Sequence, residues 1–249
     1  LHSFPTRRSS DLEPGNEMNE VGASLKYRSL LTGYIEGIGF KIGRVTNEEN
    51  KINRYYILNY SIDYLYKDAF RDILKNLPNN RIVFDIVKKS NFKNSFFDRK
   101  NYENRYCYEI VTPGSTMEEL NKYYVQDLIR NFGVTVKNER KKVKILIVKP
   151  SDKLYKIYTK GGNSEIQASD DGSQKFVRNI SLSAFVGVLN SYITTPLIAE
   201  SLPDKNIDID LPLDFNTYTI TQVKALLTKM GFSIKEETRT LDFAVFTDA

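Results

Sequence analysis

Apolar residues recur every third or fourth position in two stretches of this chain, and each stretch leads through a glycine into strict alternation. In the first, Leu120, Tyr124, Leu128 and Phe132 fall along one side of a helix. Gly133 follows, and then Val134 and Val136, with Val143, Ile145 and Ile147 further on, alternate with lysine and other polar residues. In the second, Val223, Leu226, Leu227 and Met230 form the stripe and Gly231 ends it. Both glycines stand where a helix C-cap takes up a left-handed backbone that burdens any residue with a Cβ. Hydroxyl residues mark the starts: Ser115 or Thr116 ahead of Glu118 and Glu119, and Thr219 or Thr221 ahead of the second stripe. The pattern predicts two helix-hairpin units, the first turning at the charged run Arg140, Lys141, Lys142 and Lys144.

These units are copies. Laying Val125–Lys149 over Val223–Thr247, a constant shift of 98 positions, puts Val125, Leu128, Gly133, Lys137 and Glu139 on identical residues. Ahead of each unit lies a second shared element, in which Asn59 and Ser61 match Asn179 and Ser181. Each such element is expected to run strand, helix, strand, with 79–86 and 205–211 as the closing strands. The predicted class is α+β: two tandem copies of a strand-helix-strand plus helix-hairpin unit, with largely antiparallel sheets and helices on one face. The expected organisation is an extension or linker over 13–50, a first copy over 51–150, a connecting loop over 151–173 and a second copy over 174–249.

Residues 1–12 stand apart. His2–Leu12, HSFPTRRSSDL, resembles a translated sequencing adapter, so it is set aside as an artefact, with the native start expected upstream of Glu13. Removing its two arginines and one aspartate lowers the net charge from +5 to +4 and takes away the single histidine. A mildly basic chain with 27% charged residues is expected to be soluble and globular, and no run approaches the roughly 18 apolar residues of a membrane span.

The chemistry is sparse. The chain has one cysteine and lacks a phosphate loop or a nucleophile elbow, so no catalytic, cofactor-binding or metal-binding residues are predicted. Cys107, in a predicted strand Tyr106–Val111, reads as a half-buried, inert thiol. Lys160–Asn163, KGGN, lacks the strand-to-helix setting of a phosphate loop and reads as a turn. Asp208 and Asp210 alternate with Ile207, Ile209 and Leu211 and read, with Asp204, as a solvated strand face rather than cation ligands. The basic run at Arg140–Lys144 and the tyrosines from Tyr55 to Tyr66 could bind nucleic acid, but a solvated turn and core packing account for them more simply.

Tyr27–Tyr34 (YRSLLTGY), Asn80–Asp85 (NRIVFD), Arg105–Ile110 (RYCYEI), Lys160–Asn163, the stretch Ile180–Leu211 and the closing helix-hairpin together resemble an uncharacterised C-terminal domain of soil-associated bacterial proteins. In Bacteroidetes that domain often follows a TlpA-like thioredoxin domain. The resemblance implies a non-catalytic accessory or interaction module of a thiol-disulfide oxidoreductase in the periplasm or cell envelope, with a protein or peptide partner and with the Cys-x-x-Cys domain upstream. At the level of fold alone, the repeated units also look like the small modules that begin secretins and TonB-dependent receptors.

Overall fold

The computed structural model describes residues 26–86, 102–168 and 173–249; the adapter-like segment and Asp170, Asp171 and Gly172 of the expected connector lie outside them. The chain runs β1 (Arg28–Gly33), β2 (Lys41–Thr46), β3 (Ile52–Ser61), α1 (Ile62–Ala69), α2 (Arg71–Leu74), β4 (Ile82–Asp85), β5 (Arg105–Ser115), α3 (Met117–Phe132) and β6 (Val134–Pro150). It continues through β7 (Glu165–Gln167), β8 (Lys175–Ser181), α4 (Leu182–Asn190), β9 (Leu197–Ala199), β10 (Asn206–Leu211), α5 (Ile220–Lys229) and β11 (Phe232–Asp248). The class is α+β. Among the described residues, three sheets have the orders β1-β5-β3-β2, β10-β8-β7 and β4-β11-β6-β9.

The helices form where the pattern places them, and the caps are those a helix start needs. Thr116 and Thr219 each accept from the backbone three residues on, and Glu119 and Gln222 reach back to them, which makes two capping boxes. Gly133 caps α3 at φ 63°, and Gly231, just beyond the α5 cap, has φ 97°. In the first unit Leu120, Tyr124 and Leu128 are fully buried against the β3 and β5 face that carries Tyr55, Ile57, Tyr108 and Ile110. The Tyr108 and Tyr124 rings stack with centroids 4.3 Å apart. Each such side chain contributes roughly 1.5–3 kcal/mol by leaving water. In the second unit Phe185 of α4 lies in a core with Val177, Ile207, Phe215 and Leu227.

Structure and sequence expectation differ in four places. The expected hairpins are absent: β6 and β11 are each one unbroken 17-residue strand, buried at both ends and exposed between. Arg140–Lys144 therefore lies mid-strand, because a backbone ladder needs no apolar side chains and a polar run between two apolar ones is as compatible with a solvated strand as with a turn. The 13–50 extension contains β1 and β2, both paired into the first sheet. The 151–173 connector holds a 3₁₀ turn at Leu154–Ile157, with Leu154 buried, and the strand β7. Finally, β10 pairs with β8 as β5 pairs with β3, so the counterpart of 205–211 is β5 rather than 79–86.

Two compact units result. One comprises 26–75, 84–86, 102–136 and 246–249 among the described residues, and the other comprises 76–83 and the described part of 137–245. The boundaries expected at 150 and 174 are not those of the compact units. Each unit takes a short segment from the other copy, and β6 and β11 are both divided between the units.

Candidate functional site

The repeated Asn-x-Ser step is a structural device. Asn59 and Asn179 both hold a left-handed backbone, at φ 59° and 46°, beside irregularities in the β3–β5 and β8–β10 registers. Asparagine is among the few residues that tolerate this conformation. Ser61 and Ser181, two positions on, are the N-cap residues of α1 and α4.

Each asparagine ties down the loop that leads to the edge strand. The Asn59 amide donates to the carbonyls of Ile35 and Ile38, at 2.8 and 2.6 Å, and its Oδ1 accepts from the Ile35 N–H at 2.9 Å. The Asn179 amide donates to the Gly162 carbonyl at 2.5 Å. The Lys160–Asn163 stretch, read from the sequence as a turn, is an exposed irregular segment before β7, with Gly161 and Gly162 at positive φ.

Cys107 completes the first device and Asp208 the second. The Cys107 sulfur accepts from the Asn59 N–H at 3.2 Å, and its thiol lies 3.1 Å from Asn59 Oδ1. Asp208 accepts from the Asn179 N–H at 2.8 Å, a bond that holds its carboxyl below the usual range. Cys107 is buried, and burial pushes the thiol's pKa up, so it is poorly suited to act as a nucleophile. Asp210 pairs with Arg178, and among the described residues no cluster of His, Cys, Asp and Glu could hold a metal ion.

On the first device sits a cleft of about 430 Å³, lined by Phe40, Tyr60, Ser61, Asp63, Tyr64, Lys67 and Arg105. It is a shallow depression, widely open to solvent. The loop held by Asn59 presents Phe40, which is 58% exposed. The Tyr60 and Tyr64 rings pack 4.4 Å apart, and Phe40 meets Tyr60 edge-on at 5.9 Å. The Arg105 guanidinium lies 4.6 Å from the Phe40 ring centre and 5.6 Å from that of Tyr102, and Tyr102 packs on Tyr34 with the rings tilted by 43°. Asp63, 2% exposed, accepts from the Ser61 hydroxyl and pairs with Lys67 at 3.5 Å.

The duplication supplies an internal control. Shifting by 120 positions, as Asn59 maps onto Asn179, places Ile180, Ser183, Ala184 and Gly187 where the first copy has Tyr60, Asp63, Tyr64 and Lys67. Because Ser61 pairs with Arg105 and Ser181 with Asn206, Arg105 corresponds to Asn206. The core positions stay apolar, Ile62 and Leu65 against Leu182 and Phe185. The scaffold therefore stands without the rings and charges of the cleft, and only the first copy carries them.

The tyrosine-rich stretch divides accordingly. Tyr55 and Tyr66 are buried, whereas Tyr60 and Tyr64 line the cleft. Of the basic run, Arg140 lies 3.9 Å from Asp242 and Lys141 lies 3.3 Å from Glu139, in the second unit.

Sequence reasoning missed two further polar clusters in the first unit. Glu109, nearly buried, accepts from Arg28 at 3.0 Å and from Arg54 at 2.8 Å. Asp127, on the core side of α3, accepts from Tyr27, from Tyr108 at 2.9 Å and from Arg130 at 2.7 Å. A carboxylate within an apolar helical stripe was the available signal for Asp127; Glu109 needed the strand register. Both are fully engaged in structural roles. No described helix is long and apolar enough to cross a membrane.

In comparisons with known proteins, the chain matches no family model, no curated protein and no solved structure.

Proposed function

We propose that this chain is a non-catalytic interaction module that binds a protein or peptide partner through the cleft of its first unit. The carrying observation is the contrast at matched positions: Tyr60, Tyr64, Lys67 and Arg105 line the cleft of the first copy, where the second has Ile180, Ala184, Gly187 and Asn206. Aromatic and arginine side chains of this kind are the usual anchors of protein interfaces. The one hydroxyl–carboxylate contact in the cleft, Ser61 to Asp63, is buried at the start of α1 with Asp63 also paired to Lys67, and Cys107 is buried at the Asn59 bulge.

The resemblance to the domain that follows TlpA-like thioredoxin domains supports a wider reading. The module would serve a thiol-disulfide oxidoreductase of the periplasm or cell envelope, whose active cysteines lie upstream. The gene sequence ahead of this chain tests this directly, since an upstream region without a thioredoxin-like fold would overturn the oxidoreductase assignment. The purified chain is expected not to reduce insulin disulfides in the presence of a dithiol; reduction would overturn the non-catalytic reading.

Nucleic-acid binding is the rival, favoured by the exposed Tyr34, Phe40 and Tyr102 rings around Arg105. It requires strongly salt-dependent binding, because each neutralised phosphate releases counterions. Unchanged anisotropy of a labelled single strand at low salt would remove it.

A further inference from the structure

The basic run Arg140–Lys144 reads from the sequence as the tip of a turn, and the structure removes that explanation, because the run lies in the exposed middle of β6. β11 lies alongside. The bond from the Ser151 N–H to the Gly231 carbonyl and the 3.9 Å contact of Arg140 with Asp242 are equally far apart along both strands, so both fit one unshifted antiparallel register. Residues directly opposite in such a pair share a face. Arg140, Lys142 and Lys144 therefore project to one face, beside Asp242, Thr240 and Thr238. β9 pairs with β6 only from Leu146 to Val148, so among the described residues no strand flanks the run on that side.

The charges on this face do not cancel. Asp242 is the carboxylate beside the run, and it also feels the charge of Arg81. Glu236, further along β11, is paired with Lys224, and Glu200 with Lys149 and Arg239. On the reverse face Glu139 pairs with Lys141 and Glu237 with Lys235 and Arg239. The other described acids of this unit lie on β7, on β10 or in loops. Lys142 and Lys144 are left without a carboxylate among the described residues. The scaffold does not require them, since the shift of 98 positions puts Thr238, Thr240 and Asp242 where β6 has Arg140, Lys142 and Lys144.

This face carries no ring and no apolar side chain from Arg140 to Lys144, whereas protein interfaces deplete lysine at their centres and rely on aromatic anchors. Phosphate oxygens are met by lysine, arginine and threonine side chains. Alternate residues of an extended strand recur every ~7 Å, close to the interval at which an extended single strand presents its phosphates. We infer that this face of β6 binds the sugar-phosphate backbone of a single-stranded nucleic acid, whatever its bases, with one phosphate at each of Arg140, Lys142 and Lys144. Thr238 and Thr240 border the track and offer it hydroxyl donors. The site belongs to the second unit and goes beyond the reading of the first unit's cleft as a protein-binding surface.

The test is fluorescence anisotropy of the whole chain with dye-labelled oligothymidylate over a range of salt, beside oligoadenylate, polyglutamate and phosphatidylglycerol vesicles. Three phosphate contacts give a log-log salt slope of about −2, and one contact about −0.7. The parent is expected to show the steeper slope with both oligonucleotides, and the double variant Lys142→Thr/Lys144→Thr the shallower one with weaker binding. Threonine suits an exposed strand, and an unchanged melting curve verifies folding. Lys142→Arg/Lys144→Arg, which keeps the charge, is expected to bind as the parent does. No anisotropy change for the parent at low salt, or a slope near zero, would overturn the inference and leave the protein-binding cleft standing. Binding that survives the double threonine variant but is lost in Tyr64→Ala would overturn it as well, and would move nucleic acid to the cleft. Equal or tighter binding of polyglutamate would overturn the phosphate strand in favour of an acidic protein, and binding of the vesicles alone would overturn it in favour of a membrane surface.

Discussion

At the residue scale, Asn59 and Cys107 show how a position can look chemical and act structurally. The Cys107 sulfur does for the Asn59 N–H what the Asp208 carboxylate does for Asn179, so its worth lies in accepting a hydrogen bond. Burial raises its pKa, and the native thiol is expected to react with a chromogenic disulfide only as fast as the chain unfolds. Rapid stoichiometric reaction in the folded state would contradict this. Cys107→Ser, which keeps an acceptor, should cost less stability than Cys107→Val, which leaves a buried N–H without a partner, a loss of about 1–3 kcal/mol.

Two glycines follow the long helices, Gly133 as the cap of α3 and Gly231 just past the Met230 cap of α5. An added Cβ at Gly231 would stand 2.7 Å from the backbone at Lys153 and Leu154, besides being strained at φ 97°. Gly133→Ala is expected to cost about 1–2 kcal/mol from its left-handed backbone, and Gly231→Ala about 3 kcal/mol or more because neighbouring backbone must move as well. A cost at Gly231 of only about 1–2 kcal/mol in urea unfolding would refute the steric part.

At the scale of elements, the helices were legible and the strand connections were not. The stripes through Leu120, Tyr124 and Leu128 and through Val223 and Leu227 report burial directly, and hydroxyl caps are local signals. Thr116→Ala and Thr219→Ala are each expected to cost about 1 kcal/mol by chemical denaturation; an unchanged midpoint for either would argue that its capping box is not formed in solution. The unbroken strands β6 and β11 were invisible because their middles carry polar side chains on both faces. Strand partners are chosen across the fold, so the mispairing of 79–86 with 205–211 was beyond any local pattern. The cleft was half legible: Tyr60 and Tyr64 lay in a stretch already suspected, while Phe40 and Arg105 come from loops and strands far along the chain.

At the scale of the whole molecule, the first unit's polar core sets the alkaline limit. Tyr27 is pushed up to about 12 by burial and then by its bond to Asp127, and burial likewise raises Tyr55, Tyr66, Tyr108 and Tyr124. Folding favours the protonated phenols, so their contribution is full below pH 10.0, the ordinary tyrosine value, and for Tyr27 falls away as pH climbs towards about 12. Tyrosinate absorbance and loss of secondary structure are therefore expected to rise together above that ordinary value. Full ionisation with an intact circular dichroism spectrum would show that the buried phenols are not held as described.

The helices, their caps and the α+β class follow from the order of residues alone, because periodicity, glycine at a left-handed turn and a hydroxyl before a helix act over a few positions. Which strands pair, where one unit ends and the other begins, and which tyrosines face a cleft instead of a core were decided by tertiary structure. Those outcomes depend on backbone hydrogen bonds and side chains brought together from distant parts of the chain, as Arg105 is brought beside Phe40.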